Sequence, residues 1–207
     1  MKRTIRFFPH YGPENSAEVM DAVVERLREH DVNTVIVASS TGEMALKLCQ
    51  TLSDNAVQAQ VVAVCDPPWA IGKIPKAGRI SPDNKAKLAA AGAIVVDMMP
   101  YASRAYSTGA SNNVYEALDL LVVVFDAFRM VGGNGLKGAI EVALMATNAG
   151  VVPAGRDVIA VAGTGNGLDT AIVLKTAFSI DIFSGDPAER PEVREILAMA
   201  SEKRWFW

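Results

Sequence analysis

Four short runs of apolar, mostly β-branched residues constrain this chain more than any other feature: Thr34–Ala38 (TVIVA), Gln60–Val64 (QVVAV), residues 93–97 (AIVVD) and residues 158–162 (VIAVA). None alternates polar with apolar, as a strand with one face in water would. Each therefore reads as a strand buried on both faces. Stretches of helical spacing lie between them. In residues 16–30, Val19, Val23, Val24 and Leu27 fall on one side of a helix, with Ser16 as an N-cap candidate. Residues 43–52 and 82–91 are also helical in character. Strand, helix and strand in this order make a βαβ unit, and its repetition predicts a three-layer α/β domain with a mostly parallel central sheet.

The remaining segments fit around that frame. Residues 66–81 carry Pro67, Pro68, Gly72, Pro75 and Gly78 and read as a long surface loop. Residues 100–113 (PYASRAYSTGASNN) are polar and rich in hydroxyls, a composition common in functional loops. Helices are expected over 114–130 and 136–148, separated by the breaker cluster Gly132-Gly133-Asn134-Gly135. Residues 171–174 continue the β-branched pattern, and a last helix is expected over 191–203. No repeat or linker divides the 207 residues, so a single domain over 1–207 is expected.

Charge and composition exclude several function classes. Lys plus Arg number 20 against 23 Asp plus Glu, and a net charge of −3 offers no field to attract a polyanion. Nucleic acid is thus not an expected partner. The longest apolar run, 118–125, is interrupted by Asp119 and falls short of the ~18 residues of a membrane span, so no membrane association is expected. The chain starts without the apolar stretch of a secretory signal. Cys49 and Cys65 are too few for a disulfide framework, and with two His residues they leave no zinc set. A cytoplasmic setting and no metal are expected.

Ligands of open α/β sheets sit beyond the carboxyl ends of the strands, which directs attention to the loops leaving them. Ser39, Ser40, Thr41, Gly42 and Glu43 follow the first strand and open a helix. Three hydroxyls, a glycine and the free N–H groups of a helix start suit a phosphate ester, although the same residues also suit a plain N-cap. Gly163, Thr164, Gly165, Asn166 and Gly167 follow the strand 158–162. Their G-x-G-x-G is neither the dinucleotide fingerprint nor a P-loop. The glycines permit close approach of a ligand, with Asp169 and Thr170 nearby, or form a tight turn. Cys65 reads as an inert thiol, His10 as a solvated loop residue, and Lys137 with Glu141 as an ordinary i,i+4 pair. The closing Trp205-Phe206-Trp207 docks on the domain or on another subunit.

Three stretches together resemble a known family. They are Gly12-Pro13-Glu14-Asn15-Ser16, similar to a G-x-E-N-T start; residues 34–47 (TVIVASSTGEMALK); and residues 128–175, with their gly-lys helix, E-[VI]-x-x-M-A-x-x-[AS]-G stretch and G-x-D-T-A strand. In this order they resemble the stand-alone proteins with the pyruvate kinase C-terminal α/β domain fold, in which flavin mononucleotide (FMN) is a known ligand. The middle of the chain departs from the pattern. Cys65-Asp66-Pro67-Pro68-Trp69 stands where members tend to carry His, and residues 101–109 stand where they tend to have a Ser/Gly/Arg-containing segment.

The resemblance implies a strand order 3-2-1-4-5, counted from Thr34–Ala38, with an antiparallel edge strand. It also implies one crevice for both loops. The FMN phosphate would lie at Ser39–Gly42 and the ring near the glycine loop with Arg104 or Tyr106, while Asn15 and Ser16 line the rim. The expected function is FMN binding in a homo-oligomer, with any enzymatic role a flavin-dependent redox one. The alternative is a non-catalytic sensor of a phosphorylated metabolite in the same crevice, since no acid, base or nucleophile set is visible. Pyruvate kinase catalysis belongs to a separate barrel domain and is not expected.

Overall fold

The computed structural model describes residues 4–66, 77–97 and 120–203. The prolines Pro67, Pro68 and Pro75, the hydroxyl-rich loop 100–113 with Arg104 and Tyr106, and Trp205-Phe206-Trp207 lie outside the described residues. Among those described, seven strands form one sheet: β1 (Arg6–Phe8), β2 (Thr34–Ala38), β3 (Gln60–Val64), β4 (Ile94–Val96), β5 (Asp157–Ala162), β6 (Thr170–Lys175) and β7 (Glu192–Ala200). The helices are α1 (Ser16–Leu27), α2 (Glu43–Asp54), α3 (Pro82–Ala90) and α4 (Leu120–Asn148). Among the described residues no helix is long and apolar enough to cross a membrane.

Burial on both faces makes β2 a central strand. Val35 and Val37 point into one apolar cluster with α1, α2 and α3, and Ile36 into a second one with α4. Successive side chains of β3, β5 and β6 divide between the clusters in the same way, as the two-residue repeat of a strand requires. The result is a sheet between two helical layers.

The observed order is β1-β7-β6-β5-β2-β3-β4. The sheet is therefore two strands wider than the five read from the sequence. Its one reversed strand, β6, pairs antiparallel with both β5 and β7. It lies inside the sheet rather than at an edge, because β7 and β1 extend the sheet beyond it. The edges are β1, parallel to β7, and β4, parallel to β3.

The segment expected as a last helix is the strand β7. Its helix formers Glu, Leu, Met and Ala, with Val193, Ile196, Leu197 and Ala200 at helical spacing, gave the helical pattern. Pairing on both sides overrides that propensity. The last four residues of β7 are buried, and Glu195 accepts two hydrogen bonds at 3.0 Å from the buried Arg26 of α1. Arg26 also reaches both carboxylate oxygens of Asp31 at 2.5 and 2.9 Å. These bonds, Asp31 first and Glu195 beside it, hold the guanidinium charged against the cost of its burial.

Helix α4 runs from Leu120 to Asn148 and is broken at Gly133 (φ 81°, ψ 174°). The breaker cluster thus interrupts the helix at one residue. Gly135 serves a different need, since a Cβ there would lie 2.1 Å from Thr170 Oγ1 and 2.3 Å from Asp169 Oδ1. The second half of α4 can sit against the start of β6 only with glycine at that position.

Candidate functional site

Strand β2 pairs in parallel with both β3 and β5. From β2 the chain proceeds outward to β3 and β4, and from β5 it proceeds the opposite way to β6 and β7. The carboxyl ends of β2 and β5 are therefore a topological switch point, where diverging loops leave a crevice. A crevice of about 440 Å³ lies there, within the range of small-molecule sites. Its walls bring together Ser16, Ser39, Ser40, Thr41, Glu43, Gly163, Gly165, Asn166 and Gly167 of the residues singled out from the sequence.

The loop after β2 is organised by Ser39. Its buried hydroxyl accepts the Ala45 N–H at 3.2 Å, capping α2 from inside. Gly42, with φ 88°, is the N-cap residue, and the first bond of the helix runs from Leu46 N–H to Gly42 C=O at 2.9 Å. The N–H groups of Glu43 and Met44 precede that bond, and both residues line the crevice. The side chains of Ser40 and Thr41 make no hydrogen bond among the described residues. Thr41 is fixed through its backbone, whose carbonyl accepts from Asn84 Nδ2 at 2.9 Å. The capping reading thus applies to Ser39, while the hydroxyls of Ser40 and Thr41 take no part in it.

The glycine loop is the turn of the β5–β6 hairpin, which explains why no long helix follows it. Thr164, Asp169 and Thr170 are buried and hold the turn together. The Asp169 carboxylate accepts the Thr164 N–H at 2.8 Å and the Thr170 hydroxyl at 2.9 Å. Burial nevertheless pushes its pKa up, and the hydrogen bonds from Thr164, Thr170 and the Gly12 backbone oppose that shift only in part. Because the folded state holds this proton more tightly than the unfolded chain, stability falls as pH rises from the ordinary carboxylate value through the raised one. We expect a decline across that interval in wild-type urea midpoints and none from this group in Asp169→Asn. Identical pH profiles would refute the assignment.

Asn15 and Ser16 tie the N-terminal turn to the same end of the sheet. Asn15 Nδ2 donates to the His10 carbonyl at 2.8 Å, and the Ser16 hydroxyl accepts the Leu168 N–H at 2.9 Å. His10 itself forms an exposed pair with Glu202, Nδ1 to Oε2 3.0 Å.

The crevice wall also includes Asn134, Lys137 and Lys47, which the sequence does not mark as site residues. Lys137 and Glu141 are an i,i+4 pair, as the spacing suggested, but a buried one. Nζ donates to Oε2 at 2.5 Å, with the side chains 7% and 2% exposed. Their signal was available, since they are the sole charges between residues 130 and 148. Lys47, one turn into α2, is exposed and has no ion-pair partner among the described residues. Asn134 belongs to the breaker cluster at residues 132–135. It is 5% exposed, and its Nδ2 is buried without a hydrogen-bond partner among the described residues.

No family model matches the chain. Among solved structures, an NAD+ synthetase from Burkholderia pseudomallei is similar over 78% of this chain and 56% of that one, at 16% identity and a TM-score of 0.33. This chain thus spans little more than half of the chain it is compared with.

Proposed function

We propose that the crevice at the ends of β2 and β5 binds a phosphorylated small molecule, and that the ligand is FMN. One observation carries this reading. Two loops from adjacent parallel strands converge on one crevice, and one of them presents unused hydroxyls and N–H groups at a helix start. The phosphate would be held by Ser40, Thr41 and the N–H groups of Glu43 and Met44, with Lys47 contributing charge from the next turn. The body of the ligand would lie toward Gly163–Gly167 and α4. The crevice volume, the donors on both walls and the unsatisfied Asn134 amide all fit such a ligand.

The fold part of the reading, a stand-alone pyruvate kinase C-terminal α/β domain, is supported by the consecutive strands β4-β3-β2-β5-β6 within the sheet. When bound, flavin supplies redox chemistry, and this chain's residues bind, orient and shield it. Two of the three carboxylates that line the crevice among the described residues are engaged, which favours binding over catalysis: Glu141 is paired with Lys137, and Asp66 Oδ2 accepts the Gly78 N–H at 3.0 Å; the third, Glu43, is exposed and would turn its side chain away from a bound phosphate. A sensor of phosphorylated metabolites is therefore the second reading, separated from a redox enzyme by whether bound flavin turns over.

Titration of FMN, followed by quenching of flavin fluorescence, tests the site. Thr41→Asp sets a carboxylate against the phosphate and should weaken FMN by about a hundredfold or more. Unchanged affinity in a variant with the wild-type circular dichroism spectrum would overturn the phosphate assignment.

A further inference from the structure

We infer that Asn134 and Lys137, on the α4 wall of the crevice, recognise a carbonyl-bearing heteroaromatic ring. The inference rests on the ligand reading above and extends it to residues that no sequence motif marked. Asn134 begins the second half of α4, immediately after the break at Gly133. The residue lines the crevice, and its side-chain Nδ2 is buried with no hydrogen-bond partner among the described residues. A buried amide nitrogen without a partner is costly, because it has lost its water and gained no acceptor. A fold retains such a group at a site where a ligand supplies the missing acceptor.

Lys137 lies three residues further along the helix and lines the same wall. Its ammonium is held by Glu141 and lies 5.7 Å from the Phe125 ring centroid. The ion pair makes this wall of the crevice close to neutral. The Asn134 amide donor beside a charge-balanced pair suits a neutral group rich in oxygen acceptors rather than a second phosphate. In FMN that group is the dione edge of the ring.

Asn134→Leu separates a ligand donor from a structural one. Removing an unsatisfied buried amide relieves its penalty, so the ligand-free variant should melt at or above the wild-type temperature, higher by about 2 °C. Its affinity for FMN should fall about tenfold. Riboflavin, which keeps the ring without the phosphate, should weaken by the same factor, while glycerol 3-phosphate should bind both proteins equally. A lower melting temperature, or unchanged affinity for FMN and riboflavin, would overturn the inference.

The three probes also separate its failure from that of the phosphate reading. Wild-type protein that binds glycerol 3-phosphate but neither flavin keeps the phosphate site and rejects the ring end. Protein that binds riboflavin as tightly as FMN, with the loss at Asn134→Leu, keeps the ring end and rejects the phosphate site. Binding of none of the three rejects both.

Discussion

Replacing Glu141 with Leu should cost the folded protein about 3–5 kcal/mol, more than any single change in the Ser39–Glu43 loop, because it removes the carboxylate that pairs with the buried Lys137 ammonium. The two side chains are 2% and 7% exposed, so solvent screening offers little relief. The double replacement Lys137→Met/Glu141→Leu should recover most of that loss, to within about 1 kcal/mol of wild type. Both charges are then gone, and the thioether still packs against Phe125. Equilibrium unfolding in urea of the two single variants and the double variant gives the coupling directly. If the double variant were no more stable than Glu141→Leu, packing rather than charge would account for the loss. The same double variant should bind flavin more weakly, since the pair also forms part of the crevice wall.

The second large effect is expected at Gly167. Its φ is +75°, and a Cβ there would lie 2.3 Å from Pro13 Cα and 2.7 Å from Ser16 Oγ. A backbone atom is the closest neighbour, so no rotamer change relieves the overlap and the hairpin must move away from the start of α1. Gly167→Ala should cost about 2–4 kcal/mol and lower Tm by about 8 °C. Gly150 is the control. Its φ is +72° but nothing lies within 4 Å of the added Cβ, so Gly150→Ala should lose only about 1 kcal/mol from the backbone conformation. Equal losses at the two positions would mean that the contact with Pro13 and Ser16 does not restrain the hairpin. The displacement also opens the crevice, so Gly167→Ala should weaken FMN as well.

Both variants act where separate parts of the chain converge. Ser16 accepts from Leu168, the first residue after the glycine loop. Asp169 holds Thr164 in the turn, and Gly135 lets α4 approach Asp169 and Thr170. The crevice floor is thus assembled from the N-terminal turn, the β5–β6 hairpin and the second half of α4. Each is positioned by a contact that a single added atom would disrupt.

What the amino-acid order determined alone is the local frame. Continuous β-branched runs such as Thr34–Ala38 can lie only between two covered faces, and Val19, Val23, Val24 and Leu27 can be buried together only on a helix. The hydroxyl loop at Ser39–Glu43 was legible for the same reason, since hydroxyls, glycine and a helix start are neighbours in sequence. Pairing decided the rest. Glu192–Ala200 has helical spacing yet is a strand, because it pairs with β6 from Glu192 to Ala198 and with β1 at Ala198–Ala200, and Arg26 meets Glu195. Arg6–Phe8 is too short for any period to show, and it becomes a strand through β7 alone. Asn134 and Lys137 illustrate the same division at the site. Their spacing states only that they share a helix, whereas their burial and their place on the crevice wall arise where α4 packs across the ends of β2 and β5. Short-range order fixes dihedral preference and periodicity; desolvation and unsatisfied polar groups depend on which distant segments close over them.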